Sequence, residues 1–140
     1  MARVSHPNAG MTTVLIVDDE PAIVQLVHLT LQSPRVRVFE ASDGTTAIDR
    51  AISLRPDLIL LDVDLPDMSG LDVCRRLKRE ETMAQTKIVM LTAAAQQDDV
   101  ARGFAAGADQ YLTKPFSPVR LLTLVEQLTP ATDPRPWLPA

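Results

Sequence analysis

Short apolar runs alternate with segments of helical spacing from Met11 to Leu128. This is how a parallel sheet with helices on both faces shows itself in sequence. The first run, Thr13 to Val17 (TVLIV), stops abruptly at Asp18 and Asp19. An unbroken apolar run of that length suits a strand buried on both faces. Pro21 stands where a first helical turn tolerates proline, and Ile23, Leu26, Val27, Thr30 and Leu31 share a helical face until Pro34 ends it. Val36 and Val38 alternate with Arg35 and Arg37 as an edge strand would. Gly44 then leads into a helix with Ala47, Ile48, Ala51 and Ile52 on one side.

The most apolar run, Leu58 to Leu61 (LILL), ends on Asp62 and predicts a central strand. Ser69 is a candidate N-cap for a helix bearing Leu71, Cys74 and Leu77. Lys87 to Leu91 (KIVML) predicts a fourth strand ending at Thr92. A weakly patterned fourth helix follows over Asp98 to Ala106, with Val100 and Phe104 as its core candidates and Gly107 at its end. Gln110 to Thr113 predicts a fifth strand. The last helix is capped by Ser117, opened by Pro118 and striped by Leu121, Leu124, Val125 and Leu128.

Composition narrows the function classes. Of 140 residues, 46% are hydrophobic, enough for one core, and the net charge of -4 leaves no electrostatic footprint for nucleic acid. No apolar stretch approaches the roughly eighteen residues a membrane-spanning helix needs. Cys74, the single cysteine, has no internal disulfide partner, which suits a reducing compartment and makes the cytoplasm the expected location. The expected organisation is a flexible leader over 1–11, one domain over 12–128 and a proline-rich tail or linker over 129–140. In the tail, Trp137 is a candidate anchor on a partner or on the domain itself.

In an open parallel sheet, ligands bind beyond the carboxyl ends of the strands. Here those ends carry Asp18 and Asp19, Asp62, Thr92, and Thr113 with Lys114. Carboxylates brought close together there must share a proton or a cation. A hard divalent ion resolves the conflict, and Mg²⁺, content with one or two carboxylates plus waters and phosphate oxygens, suits a shallow strand-end site better than Ca²⁺. A carboxylate is also a competent nucleophile toward phosphorus once the charge on the phosphoryl oxygens is neutralised, a task for Mg²⁺, Lys114 and the Thr92 hydroxyl.

Taken together, VDDE at Val17 to Glu20, DLILLD ending at Asp62, LPDMSG at Leu65 to Gly70, LTA at Leu91 to Ala93 and AGADQYLTKPF at Ala106 to Phe116 carry a resemblance. In this order and spacing the chain resembles the response-regulator receiver family of two-component systems, from the first strand to the last helix. The resemblance implies a flavodoxin-like, doubly wound α/β fold, five parallel strands in the order 2-1-3-4-5 with five helices. It implies a phosphorylation switch rather than a turnover enzyme. Asp62 would be the phosphoacceptor, and Asp19, Asp62 and the backbone carbonyl of Asp64 would ligate Mg²⁺, with Asp18 contributing indirectly. Thr92 and Lys114 would grip the phosphoryl group, and Thr92 and Tyr111 would form the switch. Pro115 would follow a cis peptide, while Asp64 and Ala94 would line the approach of the hydrolytic water.

The implied partners are a sensor histidine kinase or phosphotransfer protein upstream, and an output protein or a missing output domain downstream. No direct contact with nucleic acid or membrane is expected. A homodimer through the fourth helix, fifth strand and fifth helix is a further possibility.

The motifs also bear on two other classes. Leu58 to Leu65 also resembles the first motif of haloacid-dehalogenase-type phosphatases, but those need an acidic pair after their lysine, and this pair precedes the third strand. A flavin-binding module would place phosphate after the first strand, where Asp18, Asp19 and Glu20 would repel it. A degenerate receiver acting by docking alone is the remaining alternative.

Overall fold

The computed structural model describes residues 11–93 and 97–129, and of Gln97 and Asp99 the backbone only. The expected leader and tail therefore lie outside the described residues except for Met11 and Thr129, as do Ala94 and Trp137. Five strands alternate with five helices: β1 (Thr12–Val17), α1 (Pro21–Thr30), β2 (Val36–Ala41), α2 (Gly44–Leu54), β3 (Leu58–Asp62), α3 (Gly70–Lys78), β4 (Lys87–Ala93), α4 (Gln97–Ala105), β5 (Gln110–Lys114) and α5 (Pro118–Leu128). A 3-10 turn at Glu81–Met83, unforeseen in the sequence, leads into β4. All pairings are parallel in the order β2-β1-β3-β4-β5, the expected topology.

Successive strand residues point to opposite faces, so each unbroken apolar run feeds two cores. Leu15, Val17, Ile59, Leu61, Ile88 and Met90 face one core, closed by Ala47 and Ala51 of α2 and by Leu71, Cys74 and Leu77 of α3. Val14, Ile16, Leu58, Leu60, Val89 and Leu91 face the other, closed by Val27 of α1 and by Leu121, Leu124 and Val125 of α5. Each fully buried leucine or isoleucine contributes about 1.5–3 kcal/mol of hydrophobic stabilisation. Helix starts follow local chemistry. The Asp43 side chain accepts from Thr46 N–H, Ser69 from Leu71 N–H and Ser117 from Arg120 N–H, and Pro21 and Pro118 fill first-turn positions.

One core expectation fails. Phe104 is 46% exposed, and α4 instead meets Met90 through Gly103, where an added Cβ would lie 3.1 Å from the Met90 Cγ. With the helix seated on its small residues, Phe104 falls at the edge of the contact, its ring edge-on to Tyr111 with centroids 5.9 Å apart. Gly107, at φ +105°, ends the helix region as expected.

Gly70 opens α3 against the end of β3. A Cβ there would stand 2.0 Å from the backbone oxygen of Asp62, and its N–H donates to Val63 O at 2.7 Å. Gly70→Ala must push the loop off the strand end. We expect it to lose about 1–3 kcal/mol, read as a lower urea midpoint. An unchanged midpoint would show that the loop yields freely.

Candidate functional site

The parallel topology brings the ends of β1, β3 and β5 to one edge of the sheet. Asp18 follows β1 and Asp62 ends β3, both buried, while Asp19 is exposed. One carboxylate oxygen from each of the three lies within 4.8 Å of the others. Asp18, expected only as an indirect contributor, thus stands in the same trio. The Lys114 ammonium arrives from β5 and sits 2.7 Å from Asp18 Oδ2, 2.9 Å from Glu20 Oε1 and 3.4 Å from Asp62 Oδ1. The first of these is a close ion pair. Asp18 Oδ2 is buried, with the Lys114 ammonium as its close partner. The Lys114–Pro115 peptide is cis.

The electrostatics follow from this crowding. Burial pushes the Asp62 carboxyl up, the Asp18 charge pushes it further, and Lys114 with the Asp64 N–H offsets only part, leaving a pKa of about 6. Burial works against the charge on Lys114. Its contacts with Asp18 and Glu20 and the nearby Asp62 outweigh that cost and raise its pKa above the ordinary lysine value.

Thr92 is buried at the end of β4, and among the described residues its hydroxyl reaches only the Ala93 carbonyl, at a weak 3.5 Å. The structure places no contact between it and the carboxylates. It lies two residues beyond Met90, which pairs with Tyr111 across β4 and β5, so Thr92 and Tyr111 share a face of the sheet. Asp64 is tied to the site by its N–H, which donates to Asp62 Oδ1 at 3.2 Å, and it bridges Ser69.

Two participants escaped the sequence reading. Glu20 reaches Lys114 across 94 positions of sequence. Asp67, in the β3–α3 loop, accepts from Gly44 N–H at 2.7 Å, Thr45 N–H at 3.0 Å and the Thr45 hydroxyl at 2.8 Å, fastening that loop to the start of α2. These bonds hold the Asp67 carboxyl below its usual range. The only signal for Asp67 was its place in LPDMSG, and for Glu20 its place in VDDE.

A doubly wound parallel sheet with an acidic trio and a lysine at the carboxyl edge defines a class of switch proteins, and comparison supplies the family. The response regulator receiver domain model matches residues 14–126, and the chain belongs to that family. It is 45% identical over 123 residues to the DNA-binding dual master transcriptional regulator RpaA of Synechocystis, a match covering 88% of this chain and 51% of RpaA. The chain thus spans about half the length of the curated relatives it matches. Among solved structures, it is similar to the chemotaxis response regulator CheY4 of Vibrio cholerae (36% identity, 84% of this chain and 98% of that one, TM-score 0.78). It is also similar to the receiver domain of a sensor histidine kinase of Pseudomonas aeruginosa, which holds a magnesium ion in its active site cleft (31%, 84% and 97%, TM-score 0.77). Among the described residues no helix is long and apolar enough to cross a membrane.

Two carboxylates should titrate stability with opposite sign. The Asp62 pKa is raised on folding, so its ionisation costs stability as pH climbs from about 4 through about 6. In chelator, Asp62→Asn should match wild type below pH 4 and exceed it above pH 6 by about 1–2 kcal/mol after solvent screening. A difference flat across pH would contradict this. Asp67 has a depressed pKa, so its contribution is present above the ordinary aspartate range and is lost as pH falls through the depressed value. The melting-temperature deficit of Asp67→Ala should accordingly shrink in acid, and a deficit that persists at pH 2 would assign the loss to packing instead.

Proposed function

We propose that this domain, over 12–128, accepts a phosphoryl group on Asp62 with Mg²⁺ bound and thereby switches a protein-interaction surface. The observation that carries this reading is the buried Asp62 carboxylate, 3.4 Å from the Lys114 ammonium and crowded by Asp18 and Asp19. Three carboxylates whose oxygens lie within 4.8 Å of one another, two of them buried, are hard donors that fit a divalent cation. Asp19, Asp62 and the Asp64 carbonyl would hold it, with Asp18 behind them. When bound, Mg²⁺ supplies positive charge that favours ionised Asp62 and neutralises the phosphoryl oxygens.

The chain's own residues do the rest. An Asp62 carboxylate oxygen forms a bond to phosphorus as the bond to the donor group breaks, giving an acyl phosphate. The donor is a sensor histidine kinase or phosphotransfer protein. Lys114 moves its charge onto the new phosphoryl oxygens, and the loosely bonded Thr92 hydroxyl turns to donate to one of them. Tyr111, on the same face as Thr92 and edge-on to the exposed Phe104, then shifts the population of surface states around α4, β5 and α5.

That surface would engage an output protein, a missing output domain or a second copy of the chain. Water on the acyl phosphate resets the switch, with Asp64 beside its approach. The domain is read as a cytoplasmic switch rather than a turnover enzyme.

Intact-mass spectrometry after incubation with acetyl phosphate tests the chemistry. One phosphoryl adduct should form with Mg²⁺, and none with EDTA or in Asp62→Asn. An adduct that survives in Asp62→Asn would move the acceptor elsewhere. No adduct in wild type under Mg²⁺-binding conditions would leave a degenerate receiver acting by docking alone.

A further inference from the structure

Lys114 is held by three carboxylates, and only two of them belong to the acidic trio. The third, Glu20, is exposed, yet its backbone is fixed. Its N–H donates to Asp18 Oδ1 at 2.9 Å, and its carbonyl accepts from Ile23 and Val24 N–H as α1 begins. From this anchored position its side chain reaches Lys114 Nζ at 2.9 Å. The ammonium thus lies closer to the exposed Glu20 carboxylate, at 2.9 Å, than to the buried Asp62 carboxylate, at 3.4 Å. A phosphoryl group on Asp62 needs that cation, so the Glu20 contact must break when phosphate arrives.

Resting on the reading that Asp62 accepts phosphate, we propose that Glu20 is a positioning residue that parks Lys114 in the resting state and restrains activation by competing with the phosphoryl group for its charge. An exposed carboxylate on a half-buried lysine has the strength of a surface ion pair, so the restraint is worth about twofold to fivefold in equilibrium.

The test measures the affinity of the Mg²⁺-loaded protein for beryllofluoride, a phosphoryl mimic, by calorimetry. Wild type is compared with Glu20→Gln, which removes the charge, and Glu20→Asp, which keeps the charge but falls one methylene short of the ammonium. Both variants should bind about twofold to fivefold more tightly than wild type, because both release Lys114. A tighter Glu20→Gln beside an unchanged Glu20→Asp would assign the effect to general charge and overturn the positioning role, as would two variants indistinguishable from wild type. In a Lys114→Ala background the effect of Glu20→Gln should vanish, and an effect that persists there likewise overturns the proposal. Failure of the underlying reading has its own signature: wild type itself shows no binding that depends on Asp62.

Discussion

The constraint on which this structure turns is the crowding of like charges at the carboxyl edge of the sheet, relieved by a single lysine from the strand at its far end. Two unit charges about 4 Å apart interact by about 4 kcal/mol at the effective dielectric of a protein surface region. Repulsion of that size is comparable to a large share of the stability of a small domain. The fold tolerates it because Lys114 touches Asp18, Glu20 and Asp62 together, and because Asp62 answers with a pKa near 6. Such an edge is destabilised by its own ionisation and is therefore responsive to any added cation or anion that redistributes charge. The buried leucines of β1, β3 and β4 supply the surplus that lets the edge remain so unfavourable.

The order of strands follows from the same requirement. Asp18 and Asp62 meet because β1 and β3 are neighbours, and Lys114 reaches them from β5 with β4 between. Sequence pattern revealed the strands well, since an apolar run ending on a charge has few other readings. It also placed every residue of the acidic trio. It failed where small residues make the contact. Gly103 and Ala106 are buried on the α4 side, whereas the spacing of large apolar residues favours Phe104 for that face. Glu20 and Asp67 were invisible for a different reason: their partners lie 94 and 22–23 positions away, and a charged side chain at a loop carries no periodicity to betray it.

The β3–α3 loop shows how the edge is kept in register. It is held by the close approach of Gly70 to the Asp62 backbone, which draws its two ends together, and by Asp67 on the first turn of α2. The helix start supplies free N–H groups and a positive dipole end, which an aspartate satisfies at little conformational cost. Asp64, earlier in the same loop, is held by its bridge to Ser69 and by its N–H donating to Asp62 Oδ1.

The helices are not equally anchored, and the difference bears on how a change at the edge is conveyed. Helix α5 buries Leu121, Leu124 and Val125, and α3 buries Leu71, Val73, Cys74 and Leu77. Among its described side chains, α4 offers the core only a half-buried Val100 and the flat surface at Gly103, followed by Ala106. At about 25 cal/mol per Å² of apolar area, a glycine and an alanine contribute far less than two leucines. The polar link Lys78–Asp109, with Asp109 also accepting from Ile88 N–H, pins the segment after α4 to α3 and to the start of β4. Helix α4 is thus fastened at its far end and lightly held along its length. The end of β4, where Thr92 stands, leads toward that lightly held helix, and Tyr111 packs beside it through Phe104. Of the three helices α3, α4 and α5, α4 therefore offers the least packing resistance to a rearrangement, and the Phe104–Tyr111 ring contact lies at its exposed edge.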